Sequence, residues 1–277
     1  MPKYNDEIPA LPEDINIPNH IAFSPNGNRR WAEEKGLHTL EGHKAGAQAM
    51  LRLIEAGHEY GVHTMTFWGF STENWKRTKE EVGYLMKLFE FLHDQYLSEI
   101  SEKNVRIIQL GRKDRMPDSL VERIKKAEDS TRNNTDHVLN IAVDYGGHDE
   151  LLRAMDKALG DIQAGTISKE DLSEITGWYV QDKVPYYKFK DYLDTGDQPY
   201  PYPDIVMRNA GDKRTSGFLP WQSVYAEYIW SDEYFPEFDA RHLHDAILEY
   251  NGRERRFGGD GEKKKKKKKK KYLNFYT

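Results

Sequence analysis

Apolar and polar positions along the 277-residue chain follow two alternating periods. Ile21-Ala22-Phe23-Ser24, Thr64 to Phe70, Val105 to Leu110 and Val138 to Val143 are short, nearly continuous apolar runs that read as buried strands. Between them apolar residues recur every three to four positions. Ala47, Met50, Leu51 and Ile54 share one face of a predicted helix over 42–60, and similar spacing predicts helices over 79–102, 117–133, with Pro117 near the first turn, and 148–164. A further helix is predicted over 168–183, then strands at Asp204 to Met207 and Tyr228 to Trp230, and a last helix over 239–251. This alternation predicts an α/β fold, a single domain with a central, mostly parallel six-stranded sheet flanked by helices. Residues 1–18, rich in Pro, Asp and Glu, read as an extended arm, 19–259 as the domain and 260–277 as a lysine-rich disordered tail; Tyr186 to Pro203 reads as a long surface connection.

Composition narrows the class. Hydrophobic residues are 38% and charged residues 31%, as expected of a soluble globular protein. The absence of cysteine excludes disulfides, thiolate metal sites and a cysteine nucleophile, and fits a reducing, cytoplasmic setting. No signal-like apolar stretch opens the chain, and no run approaches the ~20 apolar residues of a membrane span. The net charge of −5 hides an asymmetry, because Lys263 to Lys271 is a run of nine lysines. Without them 32 basic residues face 46 acidic ones, a net of −14. An acidic body argues against a nucleic-acid partner. The tail reads as solvated, with peripheral contact to anionic membrane as its alternative use.

Ligands of open α/β sheets bind beyond the carboxyl ends of the strands. The segments found there are Pro25 to Trp31, Ser71 to Arg77, Gly111-Arg112, Asp144 to Gly147 and Arg208 to Ser216. They supply Arg29, Arg30, Arg77, Arg112, Arg208 and Arg214 together with glycines and hydroxyls. Guanidinium forks and accessible backbone N–H groups suit a polyanion, and a diphosphate is the natural reading. Neither G-x-x-x-x-G-K-[ST] nor G-x-G-x-x-G occurs, which argues against NTPases and dinucleotide enzymes. Taken alone, His43 reads as a cap or surface residue, and Trp31 and Trp75 as packing.

Together these blocks resemble the cis-prenyltransferases, the isoprenyl transferases that include undecaprenyl diphosphate synthase. The resemblance runs from about Asn19 to Gly259. It is carried by His20-Ile21-Ala22 leading into Gly27-Asn28-Arg29-Arg30-Trp31-Ala32, by Gly42-His43-Lys44-Ala45-Gly46, and by Phe70-Ser71-Thr72-Glu73-Asn74-Trp75-Lys76-Arg77. Asn140-Ile141-Ala142 before Tyr145-Gly146-Gly147, and Arg253 to Gly259, complete it. It implies Mg2+-dependent condensation of isopentenyl diphosphate onto an allylic diphosphate, a homodimer, a cytosolic enzyme working against a membrane, and a polyprenyl product. It further implies Asn26, His43 and Asn74 at the chemistry, and Gly27, Asn28, Arg29, Arg30 and Trp31 around the allylic diphosphate. Ser71, Glu73, Trp75 and Arg77 would line the site and its loop; Arg208, Arg214 and Ser216 would hold isopentenyl diphosphate. Asn26 and Glu227 would match the metal ligands, and Arg256 an element reaching across the dimer. An apolar tunnel would run past Ala47, Gly69, Leu85, Leu88, Phe89, Ile141 and Val143, residues that would equally serve as ordinary core.

The family carries aspartate where this chain has Asn26, and Arg-Thr-Ser/Gly-Gly-Glu where it has Arg208-Asn209-Ala210-Gly211-Asp212. A neutral amide is a weaker ligand for a hard cation. Impaired activity is therefore expected, with a non-catalytic, isoprenoid-binding or partner-supporting homologue as the alternative.

Overall fold

The computed structural model describes residues 7–179 and 183–254. Six strands form one wholly parallel sheet: β1 (His20–Ser24), β2 (Thr64–Ser71), β3 (Val105–Leu110), β4 (His137–Tyr145), β7 (Ile205–Arg208) and β8 (Glu227–Trp230), in the order β3-β4-β2-β1-β7-β8. The connecting helices are α1 (Asn28–Glu34), α2 (Thr39–Glu59), α3 (Lys79–Glu102), α4 (Asp118–Thr131), α5 (Gly147–Gln163) and α6 (Ala240–Gly252).

The continuous apolar runs arise because both faces of the sheet are covered. Ile21 and Phe23 join Leu53, Phe67, Leu243 and Ile247 on one face, where the Phe23 and Phe67 rings stack with centroids 4.7 Å apart. Ala22, between them in sequence, joins Leu110, Tyr145, Phe218 and Leu219 on the other. A third cluster, Phe70, Leu85, Met86, Leu120 and Val143, fastens α3 and α4 to the sheet edge.

The structure corrects the helix expected over 168–183. Ile175–Tyr179 (β5) and Val184–Tyr187 (β6) instead form an antiparallel pair, with Ile175 beside Tyr187 and Tyr179 beside Val184. β-Branched and aromatic residues around Gly177 favour strand over helix. The segment after β1, expected only as a strand-end loop, contains α1. Of the N-terminal arm, Ile8, Leu11, Ile15 and Ile17 pack against the main core. Among the described residues no helix is long and apolar enough to cross a membrane.

His20 shows how tightly the sheet's amino-terminal end is closed. It is fully buried, with Nδ1 2.9 Å from the Tyr200 carbonyl and Nε2 2.7 Å from Thr66 Oγ1. The carbonyl can only accept, so Nδ1 carries the proton and Nε2 accepts from the hydroxyl. Burial pushes its pKa down from 6.5 to about 3. Above pH 6.5 the ring is neutral in both folded and unfolded chains; between 6.5 and about 3 only the unfolded chain binds the proton. Stability is therefore expected to fall with pH through that window, by up to ~1.4 kcal/mol per pH unit from this residue. His43, His58, His63 and His93 are depressed by burial as well and act in the same direction. Urea unfolding at pH 7 and pH 5 should show a shallower loss for His20→Gln, and an identical loss would exclude His20 as a cause.

Candidate active site

Because the strands are parallel, the carboxyl ends of β1, β2 and β7 meet at one edge of the sheet, and the site is built from the segments that leave those ends. After β1 the chain turns at Gly27, whose φ of +86° favours glycine. A Cβ there would also sit 2.4 Å from the Tyr234 ring. Asn28 then opens α1 and is accommodated by α2 only because Gly46 lacks a side chain; a Cβ at Gly46 would come within 2.6 Å of the Asn28 amide. These glycines seat the Asn28-Arg29-Arg30 turn against α2.

The result is a cleft of about 580 Å3. Its polar part is lined by Asn26, Gly27, Asn28, Arg29, Arg30, His43, Ser71, Asn74, Arg77, Arg208 and Ser216. Its apolar part is lined by Ala47, Met50, Phe67, Gly69, Leu85, Leu88, Phe89 and Leu92. Most of the residues the sequence singles out thus share one space with an electropositive end and an apolar end.

Arg208, at the end of β7, is the most deeply buried of these arginines. It is 7% exposed, its Nη1 donates to Ser24 Oγ at 2.9 Å, and its Nε has no partner. Among the described residues no carboxylate lies within ion-pair distance of it. Burial lowers its pKa, repulsion from Arg214 lowers it further, and attraction to Asp212 partly offsets both. A buried guanidinium in that state is poised for an anion.

Two carboxylates arrange the remaining arginines. Glu81, on α3, lies 4.0 Å from Arg29 and accepts from Arg77 at 3.0 Å and from His43 Nε2 at 3.0 Å. Burial depresses the His43 pKa, partly opposed by the Glu81 hydrogen bond, so the neutral ring donates through Nε2. Asp212 accepts from Arg30 at 3.2 Å and from Arg214 at 2.6 Å.

Asp212 also accepts a short hydrogen bond from Asn26 Nδ2, which leaves the Asn26 carbonyl oxygen as the free end of the amide. Asn209, 1% exposed, clamps the Asn26 backbone from both sides: its Oδ1 accepts from the Asn26 N–H at 2.9 Å and its Nδ2 donates to the Asn26 carbonyl at 2.7 Å. Both residues at which the Arg208–Asp212 segment departs from the family pattern at polar positions therefore touch Asn26.

Other expected residues lie elsewhere. Trp31 donates to Glu237 and carries Lys35 over its ring, outside the cleft. Trp75 packs edge-on against Phe70 and donates to Asp144 at 2.8 Å, in keeping with a packing role. Glu73 shares the turn of Ser71 and Asn74 but does not line the cleft. Arg112 is held by Asp114 and Asp149, and Arg214 reaches the site only through Asp212. Glu227 begins β8 beside Ile205, whereas Arg208 pairs with Trp230. It therefore lies three residues, about 10 Å, back along the strands from the cleft. There it accepts from Arg253 at 2.6 Å. Arg256 and Lys263 to Lys271 fall outside the described residues. Glu81 is absent from the residues the sequence points to; its only signal there is its place four residues after Arg77, in the first turn of a helix.

The family model for undecaprenyl diphosphate synthase matches residues 25–258. An isoprenyl transferase from Clostridium acetobutylicum is 40% identical over 245 residues, covering 88% of this chain and 91% of the relative. One from Streptococcus thermophilus is 37% identical over 246 residues, covering 88% and 94%. Lavandulyl diphosphate synthase from Lavandula x intermedia, solved with dimethylallyl diphosphate, superposes with a TM-score of 0.79 at 29% identity, over 87% of this chain and 98% of that one. A probable undecaprenyl diphosphate synthase from Campylobacter jejuni gives 0.67 at 28% identity, over 88% and 100%. With a matching fold, a matching family model and relatives aligned across most of their length, this chain belongs to the isoprenyl transferase family, the cis-prenyltransferases.

Proposed function

We propose that the protein condenses isopentenyl diphosphate onto an allylic diphosphate of the farnesyl type, with cis double bonds, to give a polyprenyl diphosphate. The observation that supports this most is Arg208, a buried guanidinium without a carboxylate partner among the described residues, in a cleft that continues into apolar walls. One end of such a space suits a diphosphate and the other a hydrocarbon.

The chain's own groups account for the charge that develops. As the allylic C–O bond breaks, its electron pair leaves with the diphosphate. Arg29, Arg30 and Arg77 bind that group and hold positive charge where the negative charge grows, while Arg208 holds the diphosphate of the second substrate. The alkene of the second substrate attacks the allylic carbon, a C–C bond forms and a proton is lost. The apolar walls exclude water that would otherwise capture the allylic cation. Asn26 Oδ1 and Asp212 offer hard oxygens at the cleft's edge, and Mg2+ needs few protein ligands when phosphates and waters complete its shell. These two residues would hold the ion, which would supply further neutralisation of the leaving diphosphate.

The test is incubation of the purified chain with farnesyl diphosphate, radiolabelled isopentenyl diphosphate and Mg2+. Polyprenyl product supports the enzyme reading. No product from the native chain or from its Asn26→Asp variant would favour a diphosphate-binding, partner-supporting homologue, the reading to which the neutral Asn26 lends weight. A homodimer belongs to the same proposal: Leu152, Met155 and Leu159 lie along one face of α5 and are exposed, an apolar stripe suited to a second copy. A monomer in sedimentation at micromolar concentration would remove it. Cytoplasmic location with peripheral membrane contact is proposed from the tail, and binding to anionic liposomes that is unchanged without Lys263 to Lys271 would exclude that contact.

A further inference from the structure

Beyond the cleft lies a second, apolar cavity of about 110 Å3 that shares Met50, Phe89 and Leu92 with it. Its far wall is β3. The sheet order sets β3 three strand spacings from β1, or about 14 Å. Along β3, Val105, Ile107 and Gln109 share one face. The first two belong to the apolar core, so Gln109 stands where the pattern calls for an apolar residue.

Gln109 is 8% exposed. Its Nε2 donates to the Leu110 carbonyl at 2.6 Å and to the Val143 carbonyl at 2.8 Å. Two carbonyl partners fix which end of the amide is nitrogen. Oε1 is then an acceptor-only atom, buried without a donor. His93, on α3, also lines the cavity and has a buried Nε2 that lacks a partner. Glu128 lines the cavity too, but it is occupied by the Gln109 backbone N–H and by Lys113.

Unsatisfied buried polar groups are costly, and an apolar chain pressed against them would exclude any water able to relieve that cost. We propose that Gln109 and His93 form a polar end stop in the hydrocarbon cavity and limit the length of isoprenoid chain the protein holds. The proposal rests on the prenyl diphosphate reading above and adds the residues that set chain length.

The experiment is calorimetric binding of geranyl, farnesyl and geranylgeranyl diphosphates, with Mg2+, to the native protein and to its Gln109→Leu and His93→Leu variants. In the native protein affinity should stop rising once the chain reaches β3. In the variants the next longer ligand should bind about tenfold tighter than it binds the native protein, with shorter ligands unchanged. His93→Leu touches no strand hydrogen bond and serves if Gln109→Leu does not fold. A shift in either variant supports the stop. The native length dependence retained in the folded variants overturns it. No binding of any of the three ligands to any form sinks the substrate reading itself.

Discussion

Replacing Asn26 by aspartate is expected to raise Mg2+-dependent product formation on the order of 10²-fold, the scale of one well-placed charge acting on a developing anion. The same change should destabilise the metal-free protein. Asn26 Nδ2 now donates to Asp212; a carboxylate at position 26 would face the Asp212 carboxylate at hydrogen-bond range, and one of the two would have to hold a proton. The expected loss is ~1–2 kcal/mol without a cation, recovered when Mg2+ bridges the pair. Exchanging the two residues, Asn26→Asp with Asp212→Asn, should restore stability without metal by reversing the donor and acceptor. Thermal unfolding with and without Mg2+, beside the radiolabel assay, reads both effects. Equal product from native chain and variant would mean that charge at position 26 is not limiting. An undiminished melting temperature without metal would mean that Asp212 is not fitted to the amide.

Arg208→Met is expected to weaken isopentenyl diphosphate binding on the order of 10²- to 10³-fold while leaving thermal stability unchanged or slightly higher. A structural arginine would behave in the opposite way. Removing one partner of a buried ion pair usually costs several kcal/mol, but among the described residues the Arg208 side chain has only the Ser24 hydroxyl to lose, and it carries the desolvation penalty of an unpaired charge. Arg208→Lys should recover part of the affinity, since the charge returns without the bidentate fork. Calorimetry and melting curves on both variants are sufficient. A large drop in melting temperature with unchanged affinity would assign Arg208 to the fold and remove the observation on which the proposed function most depends.

Much of the fold and of the site is legible in the chain. The strands are visible because a sheet covered on both faces demands unbroken apolar runs, and Ile21-Ala22-Phe23 is such a run. The arginines are visible because strand ends in such folds face the ligand. The features that stay hidden depend on partners distant in sequence. Glu81 sits beside His43 through helix packing, and nothing near it announces that contact. Glu227 reads as a partner for Asn26, and only strand register shows that it begins β8 three residues back from the level of Arg208. The β5–β6 pair is hidden because residues 168–183 mix helix formers with Ile175, Trp178 and Tyr179, and pairing with Val184–Tyr187 decides the outcome. Gln109 is masked by a strand whose other positions on the same face, Val105 and Ile107, are apolar.

The clamp between Asn26 and Asn209 joins positions 183 apart in the chain. Strands β2, β3 and β4, by contrast, lie within one stretch of sequence and pair with one another before any of the last quarter of the chain is needed. Closing so long a loop is entropically slow, so the catalytic end of the molecule should be the last to organise. During synthesis the β1 segment must wait, with its polar turn still unsupported, until β7 has left the ribosome. Pulse-labelled hydrogen exchange during refolding should find β2–β4 amides protected before those linking β1 to β7; simultaneous protection would contradict this order. An intermediate halted there would already hold much of its core and yet be unable to bind substrate, so newly made protein should gain solubility before it gains activity.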